Sequence, residues 1–439
     1  MKTVTILKAG AAQIDISPKD SQFLFGYPHV RRYSTGIHDA LLSSALYLSD
    51  GRSEVMFIAN DVIFVSKSSA AWVRRQISEK TGIKPVCIMI TATHTHSGPI
   101  TLNYLSNEAD PVVPKTDKTY VEFMEQQITK AAVQAYRSAE PAKIGLAIAD
   151  DTGVGTNRRN PGGPCDHRVP VLMVKNATSG KNIACMVVCS MHPTVLHEDS
   201  TLVSGDFPGL SRLYLQQHVL GADCPVLHHT GPCGNQSPRH VTRANTFDEA
   251  KRLGEILGKA VKKVVSVIQY GGSITVGAKQ ILLEDLPRRQ FPSVQDAQLK
   301  LHQTVARLKM LRDTKAAPQE IRTAECDWFG AEETLALAKA AVDGKLLNAY
   351  QLCLPAEIQA IQIGAWNFVG WQGEIFIEYA LEVKRQIPNT FIISMANGEM
   401  QGYIVTGDAA REGGYEASNA LFDYQAGDIY VQKTLELLQ

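Results

Sequence analysis

Val86-Cys87-Ile88-Met89-Ile90-Thr91-Ala92-Thr93-His94-Thr95-His96-Ser97-Gly98-Pro99 begins as an apolar run and ends in a polar loop closed by Gly-Pro. A short apolar run bounded by turn residues is a buried strand, predicted over Val86–Thr91. Two histidines at i and i+2 in an extended segment point to the same side. Neutral imidazole is a common zinc ligand, and Gly98-Pro99 would end the strand at an open mouth. The same pattern also describes a polar strand end with two solvated histidines, so the His-x-His spacing alone does not decide the chemistry.

Outward from this stretch, strands alternate with helices. A strand ends in Asn60-Asp61, and a helix follows over Ser68–Thr81 with Ala71, Val73 and Ile77 near one face. The pattern then predicts a helix over Tyr120–Tyr136 and strands over Lys143–Ala149, Val169–Val174 and Ile183–Val188. A helix is predicted over Phe207–Leu220, with Pro208 acceptable in its first turn. Pro225–His229 reads as a strand, Phe247–Ile268 as a helix and Ser273–Leu282 as a strand. Ser293–Arg312 has helical spacing with Ser293 as N-cap, and with Ala331–Val342 it forms a helical insertion at about 288–345. The tail alternates again: strands over Glu357–Ile363 and Trp366–Val369, a helix from Ile375 to about Ile387, then a strand over Phe391–Met395. The fold class expected is α/β, with mixed β-sheets flanked by helices and a helical insertion, organised as one domain over 1–439.

Composition narrows the function. Lys plus Arg and Asp plus Glu are 44 each, which gives no support to nucleic-acid binding or to adsorption on anionic membranes. The opening Met1-Lys2-Thr3-Val4-Thr5-Ile6-Leu7-Lys8 is too interrupted for a signal-peptide core, and no apolar stretch is long enough to span a bilayer. The expectation is a cytoplasmic protein without stable membrane insertion, acting on a small-molecule substrate, with a homo-oligomer left open. The eight cysteines form no Cys-x-x-Cys pair and read mostly as buried reduced thiols.

Three further loops follow predicted strands, where functional residues of α/β folds gather. His192, fixed by Pro193, ends one strand and precedes Ser204-Gly205-Asp206. Gly231-Pro232-Cys233-Gly234-Asn235-Gln236-Ser237-Pro238 lacks both the Gly-x-Ser-x-Gly of a nucleophile elbow and the Lys-Ser/Thr of a P-loop. Gly370-Trp371-Gln372-Gly373-Glu374 and Asn397–Tyr403 are C-terminal. Glu374 is read as a helix start, where a carboxylate equally suits the positive helix end.

Taken in order, Thr91–Pro99, Asn157-Arg158, His192-Pro193-Thr194 with Ser204-Gly205-Asp206, Asn235-x-Ser237-Pro238, Gly373-Glu374, Asn397–Tyr403 and Gly413-Gly414-Tyr415-Glu416-Ala417 resemble the catalytic domain of the neutral, non-lysosomal ceramidases. The resemblance runs from Gly10 over nearly the whole chain. It implies a zinc amidase whose metal is held by His94, His192, Glu374 and Tyr403. It places His96 and Arg158 at the reaction centre, with Tyr403 also able to serve the oxyanion, and Ser237 beside the substrate. Asn235, Arg159 and His197 are further candidates for substrate contact. Zinc would supply hydroxide to attack the carbonyl of an N-acyl compound. An ester or lactone hydrolase on a small polar substrate uses the same centre, and a non-catalytic zinc or ligand-binding protein is the third reading. Arg159-Asn160 stands where the family usually has Ser-Pro, and Gly398-Glu399-Met400 where it usually has an aromatic residue.

Overall fold

The computed structural model describes residues 6–27 and 29–439; Met1–Thr5, part of the N-terminal stretch read above for a leader, lie outside them. It has mixed sheets with flanking helices, the expected α/β class. Eight strands form the main sheet, in the order Val226–Thr230, Asn182–Cys189, Arg168–Asn176, Glu140–Asp150, Lys8–Asp15, Leu42–Ser49, Glu54–Asn60 and Ile88–Ala92. Its outermost pair at each edge is parallel and the rest are antiparallel. Among the described residues, its two halves are joined by two residue pairs, Lys8 with Pro141 and Ala9 with Glu140. A second sheet of four strands runs Val276–Leu283, Ala356–Ile363, Trp366–Trp371 and Thr390–Ile393.

A shared apolar core holds Leu46, Phe57 and Met89 from one half, Leu172, Met186 and Leu227 from the other, and Ile361, Phe368 and Ile393 from the second sheet. Each of these fully buried side chains contributes roughly 1.5–3 kcal/mol relative to exposure. Polar struts complete the junction. Arg74 makes a bidentate pair with Glu357 at 2.7 and 3.0 Å, tying the helix Lys67–Thr81 to the second sheet. Asn397 accepts from the Ile90 amide and donates to Gln359, whose own amide group reaches the Val86 and Ile88 carbonyls.

The consequence is a meeting of strand ends. Thr91 Oγ1 and His229 Nδ1 are 2.7 Å apart, Thr230 Oγ1 donates to the Thr93 carbonyl, and Ser394 N donates to the Thr230 carbonyl. Three strands from three parts of the chain therefore deliver their following loops to one place.

Local chemistry explains most element limits. Ser66 caps the helix Lys67–Thr81 by accepting from Ser69 N, and Gly82 ends it at φ 84°. Ser293 caps Val294–Asp313 as expected. The helix expected over Phe207–Leu220 is α-helical only over Asp206–Leu215 and continues as a π turn over Gln216–Leu220. The segment Val86–Cys87 is a 3-10 turn, and the strand begins at Ile88. Between the paired strands Val276–Leu283 and Ala356–Ile363 the chain runs through three helices, Val294–Asp313, Pro318–Val342 and Leu346–Cys353. The middle helix is 25 residues long and starts thirteen residues before the Ala331 expected from periodicity. Its mixed packing, with polar residues facing the protein, hides that first half from a hydrophobic count. No helix among the described residues is long and apolar enough to cross a membrane.

Candidate metal centre

His94 follows the strand Ile88–Ala92. Its backbone is not extended: φ is +67°, and its amide donates to the Val62 carbonyl. The left-handed turn, uncommon for a non-glycine residue, carries the ring into the cleft, where Nδ1 lies 2.9 Å from the Ile63 carbonyl. His192 follows Asn182–Cys189; its Nδ1 lies 2.7 Å from the Cys233 carbonyl. A carbonyl only accepts, so each Nδ1 carries the proton and each Nε2 presents a bare lone pair.

The two Nε2 atoms are 3.0 Å apart. Glu374 Oε2 lies 3.1 Å from His192 Nε2 and 3.4 Å from His94 Nε2. Three acceptor atoms thus converge in a buried site with no hydrogen between them. That arrangement is repulsive unless a cation sits among them. Ligands bound at about 2.0–2.1 Å to one tetrahedral ion are separated by about 3.3 Å, so the observed spacing fits. Burial, reinforced by Arg158, lowers His192 to about 4, so it is neutral, as a ligand must be.

Glu374 does not start a helix. It pairs with Tyr403 in a two-residue parallel bridge, Glu374–Ile375 against Tyr403–Ile404, and the helix begins at Ile377. The bridge, rather than a helix dipole, places Glu374 and Tyr403 side by side.

His94, His96 and His192 form a group whose ring nitrogens lie within 4.8 Å of one another, so these three can also hold a metal ion. The outer contacts separate them. Ligating histidines have the far nitrogen fixed by a hydrogen bond; His94 and His192 do, whereas neither ring nitrogen of His96 has a partner among the described residues. Burial, then His94 and His192, keep His96 well below its ordinary pKa and therefore neutral. One nitrogen can accept a proton and the other can donate. The ring is held by packing, against Gly26, against Tyr27 at 5.3 Å between centroids, and against the rings of His94 and His192.

Arg158 stands on the other side. Its guanidinium carbon is 5.3 Å from the Tyr403 ring centroid, its Nε donates to Glu416 at 2.7 Å, and its buried Nη2 has no partner. Arg159 is committed elsewhere, donating to Glu416, Glu412 and the Gly413 carbonyl. Asn235 is spent on the scaffold: its amide group donates to Glu378 and its oxygen accepts from Ile377 N. Buried Ser237 accepts from Arg239 N and caps a short turn. His197 lies one ring beyond His96, 5.5 Å from Tyr27, and burial with nearby Arg322 lowers it to about 4. The structure therefore brings His94, His96, His192, Glu374, Tyr403 and Arg158 together, while the side chains of Asn235 and Arg159 hold the surrounding frame. Gly26, Tyr27 and the anchoring role of Glu416 escaped sequence reading. Only the Gly-Gly-Tyr-Glu-Ala tail hinted at Glu416.

Strand ends thus join two carbonyl-anchored histidines and a carboxylate, beside a histidine without hydrogen-bond partners on its ring and an arginine with one free Nη2, a donor set that could hold a metal ion. The sequence profile of the neutral/alkaline non-lysosomal ceramidases, N-terminal region, matches residues 7–229, and the chain belongs to that family. The match includes His94, His96, Arg158 and His192; Glu374 and Tyr403 come from beyond it. The fold is also that of the neutral ceramidase from Pseudomonas aeruginosa, at a TM-score of 0.75 and 16% identity over 99% of this chain and 74% of that one. A ceramidase complexed with C2 matches at 0.75 and 15% identity, over 99% of this chain and 75% of that one.

Proposed function

We propose that this protein is a zinc-dependent amidase cleaving an N-acyl compound, with ceramide-like amides as the reference substrates. The observation that carries this reading is the convergence of two bare imidazole nitrogens with the Glu374 carboxylate at 3.0 to 3.4 Å, beside unpaired polar groups of His96 and Arg158. His94, His192 and Glu374 would hold the ion, and Tyr403, whose strand pairs with that of Glu374, would join them. Zinc in such a set supplies Lewis acidity and hydroxide at neutral pH. The chain's own residues do the rest. Arg158, held by Glu416, would offer its free Nη2 to the oxygen that gains charge as the carbonyl is attacked. His96, neutral and unanchored, takes a proton and returns it to the departing amine. Tyr403 is a second donor to the oxyanion.

The surroundings favour a substrate with a polar group near the scissile bond. Arg322 from the helix Pro318–Val342 lies 6.0 Å from the Tyr27 ring, which itself touches His96. A small polar ester or lactone would meet the same wall and pass through the same oxyanion, which keeps that chemistry as the second reading. We further take 1–439 as one catalytic unit, with the segment 288–345 as its insertion. The test is metal analysis of the purified protein, followed by a hydrolysis screen of the zinc-loaded form against long-chain ceramide, short polar N-acyl amides, esters and lactones. Turnover of amides supports the proposal. No bound transition metal and no turnover of any class after zinc addition would sink it.

A further inference from the structure

Arg31-Arg32 lies in a stretch where burial alternates: Arg31 and Tyr33 are exposed, Arg32 and Ser34 buried. The stretch is stitched to the loop that carries His94 and His96. Leu24 N donates to the Arg32 carbonyl, Phe25 N to the Gly98 carbonyl and Ile100 N to the Phe23 carbonyl. The Arg32 side chain is thereby enclosed, at 1 % exposure. Its guanidinium is spread over three acceptors. Nε donates to the Ser200 carbonyl at 2.8 Å, Nη1 to the His96 carbonyl at 2.9 Å and Nη2 to Ser97 Oγ at 3.2 Å. Its carbon stands 5.2 Å from the Tyr27 ring centroid. Tyr27 is pinned at its far end, where the hydroxyl donates to the Leu196 carbonyl at 2.8 Å, and its ring lies 5.3 Å from that of His96. One side chain thus holds both the main chain of His96 and a wall on which its ring leans.

Packing alone does not ask for an arginine here. Among the described residues no carboxylate pairs with Arg32, whereas Arg74 and Arg212, the other buried arginines, pair with Glu357 and Asp61. A charge enclosed among neutral acceptors costs stability that a methionine there would not. The metal ligands do not depend on it either, since His94 and His192 are anchored through the Ile63 and Cys233 carbonyls. What the guanidinium adds is a rigid planar fork that reaches Ser200, His96 and Ser97 at once, a geometry that lysine cannot reproduce. Its middle prong ends on the one histidine of the centre whose ring has no hydrogen-bond partner among the described residues.

We propose that Arg32 is a positioning residue for the reaction: it fixes the His96 carbonyl and steadies Tyr27 against the His96 ring, so that the imidazole keeps the orientation its proton transfer needs. The inference rests on the amidase reading for what His96 does, but not for how His96 is held. The test is a double-mutant cycle on the zinc-loaded full chain. Arg32→Met and Arg32→Lys are made in the native and His96→Ala backgrounds and assayed on a chromogenic short-chain N-acyl anilide. Arg32→Met should keep its zinc and its KM and lose kcat by about 10²-fold, the worth of a positioned acid–base group. Arg32→Lys keeps the charge without the fork and should recover only part of that loss. In the His96→Ala background neither substitution should cost more, because the residue they act through is gone. A loss that multiplies in the double variant marks general damage to the fold and overturns the proposal, as does a raised KM with kcat unchanged. Arg32→Lys carries the same cycle alone if Arg32→Met does not fold. A second readout needs no turnover: the Cε1–H resonance of His96 in protein made with isotopically labelled histidine, identified by its loss in His96→Ala. It should move in Arg32→Lys, which retains the charge, while the resonances of His94 and His192 stay in place. An unmoved His96 resonance overturns the proposal. A moved resonance in a protein that does not hydrolyse the anilide counts against the amidase reading alone.

Discussion

Gly26 lies flat against the ring of His96, so closely that a Cβ there would sit 2.4 Å from Nδ1 and 2.5 Å from Cγ. The same residue has φ +122°, a conformation that only glycine adopts cheaply. Since no hydrogen bond among the described residues fixes the His96 ring, packing aims it, through this contact and the rings of Tyr27, His94 and His192. Gly26→Ala should therefore turn the histidine away while leaving the ligand pair His94 and His192 anchored to their carbonyls. The expected result is zinc content unchanged and kcat reduced on the order of 10²-fold, the usual worth of a positioned acid–base group. Full activity in Gly26→Ala would remove His96 from the mechanism.

The identity of the ligands is decided by comparing three alanine variants. His192→Ala and Glu374→Ala each remove one of the atoms that meet at 3.0 to 3.4 Å. They should lose metal during purification. His96→Ala should retain it, because its ring lacks the outer hydrogen bond that ligating histidines possess. If His96→Ala loses zinc as readily as His192→Ala, the three histidines are the ligand set and Glu374 is the outlier.

Much of this arrangement was legible in the sequence, for physical reasons that differ by element. The strands Ile88–Ala92 and Asn182–Cys189 are buried on both faces and read as unbroken apolar runs, so the loops carrying His94 and His192 could be located. The first strand, Lys8–Asp15, and Leu42–Ser49 passed unnoticed because alanine, serine and glycine fill much of them, and their pairing is a tertiary fact. The same-side argument for His94 and His96 assumed an extended chain. The rings do meet, at 5.1 Å between centroids, but through the left-handed turn at His94. Glu374 was found by its order among the motifs, while its bridge to Tyr403 depends on a contact across 29 residues that no local pattern encodes. The outer partners were invisible for the same reason: Glu416 lies 258 residues from Arg158.

That distant carboxylate supports a prediction of its own. Arg158→Ala should keep its zinc and lose turnover by about 10²-fold or more if Nη2 serves the oxyanion. Glu416→Gln keeps the shape of the side chain but weakens two charge-assisted bonds, to Arg158 at 2.7 Å and Arg159 at 2.9 Å. Its kcat should fall while KM and zinc content stay near normal, and Glu416→Asp should recover part of the loss. If Glu416→Gln raises KM with kcat unchanged, Arg158 binds the ground state instead, and its oxyanion role is wrong.

Acid sensitivity should follow from two histidines that take no part in catalysis. His228 and His229 lie in the strand Val226–Thr230, fully enclosed. Burial lowers both to about 3, with His229 and Arg212 adding to the effect at His228. In the unfolded chain each titrates near its ordinary value of about 6.5. Between these two pKa values the unfolded state binds more protons than the folded state. Stability therefore rises with pH across that window and falls as pH drops from about 6.5 toward 3. These two groups contribute up to about 2.7 kcal/mol per pH unit to the slope, since one proton is worth about 1.36 kcal/mol per unit, and His96 and His197, lowered in the same sense, add to it. Urea unfolding followed from pH 7 down to pH 4, on His192→Ala protein free of metal, isolates this effect from zinc release. His229→Asn has no imidazole to protonate, so it should remove one group's share of the slope, up to about 1.36 kcal/mol per pH unit. A slope unaltered by that substitution would show that the acid transition belongs to other groups.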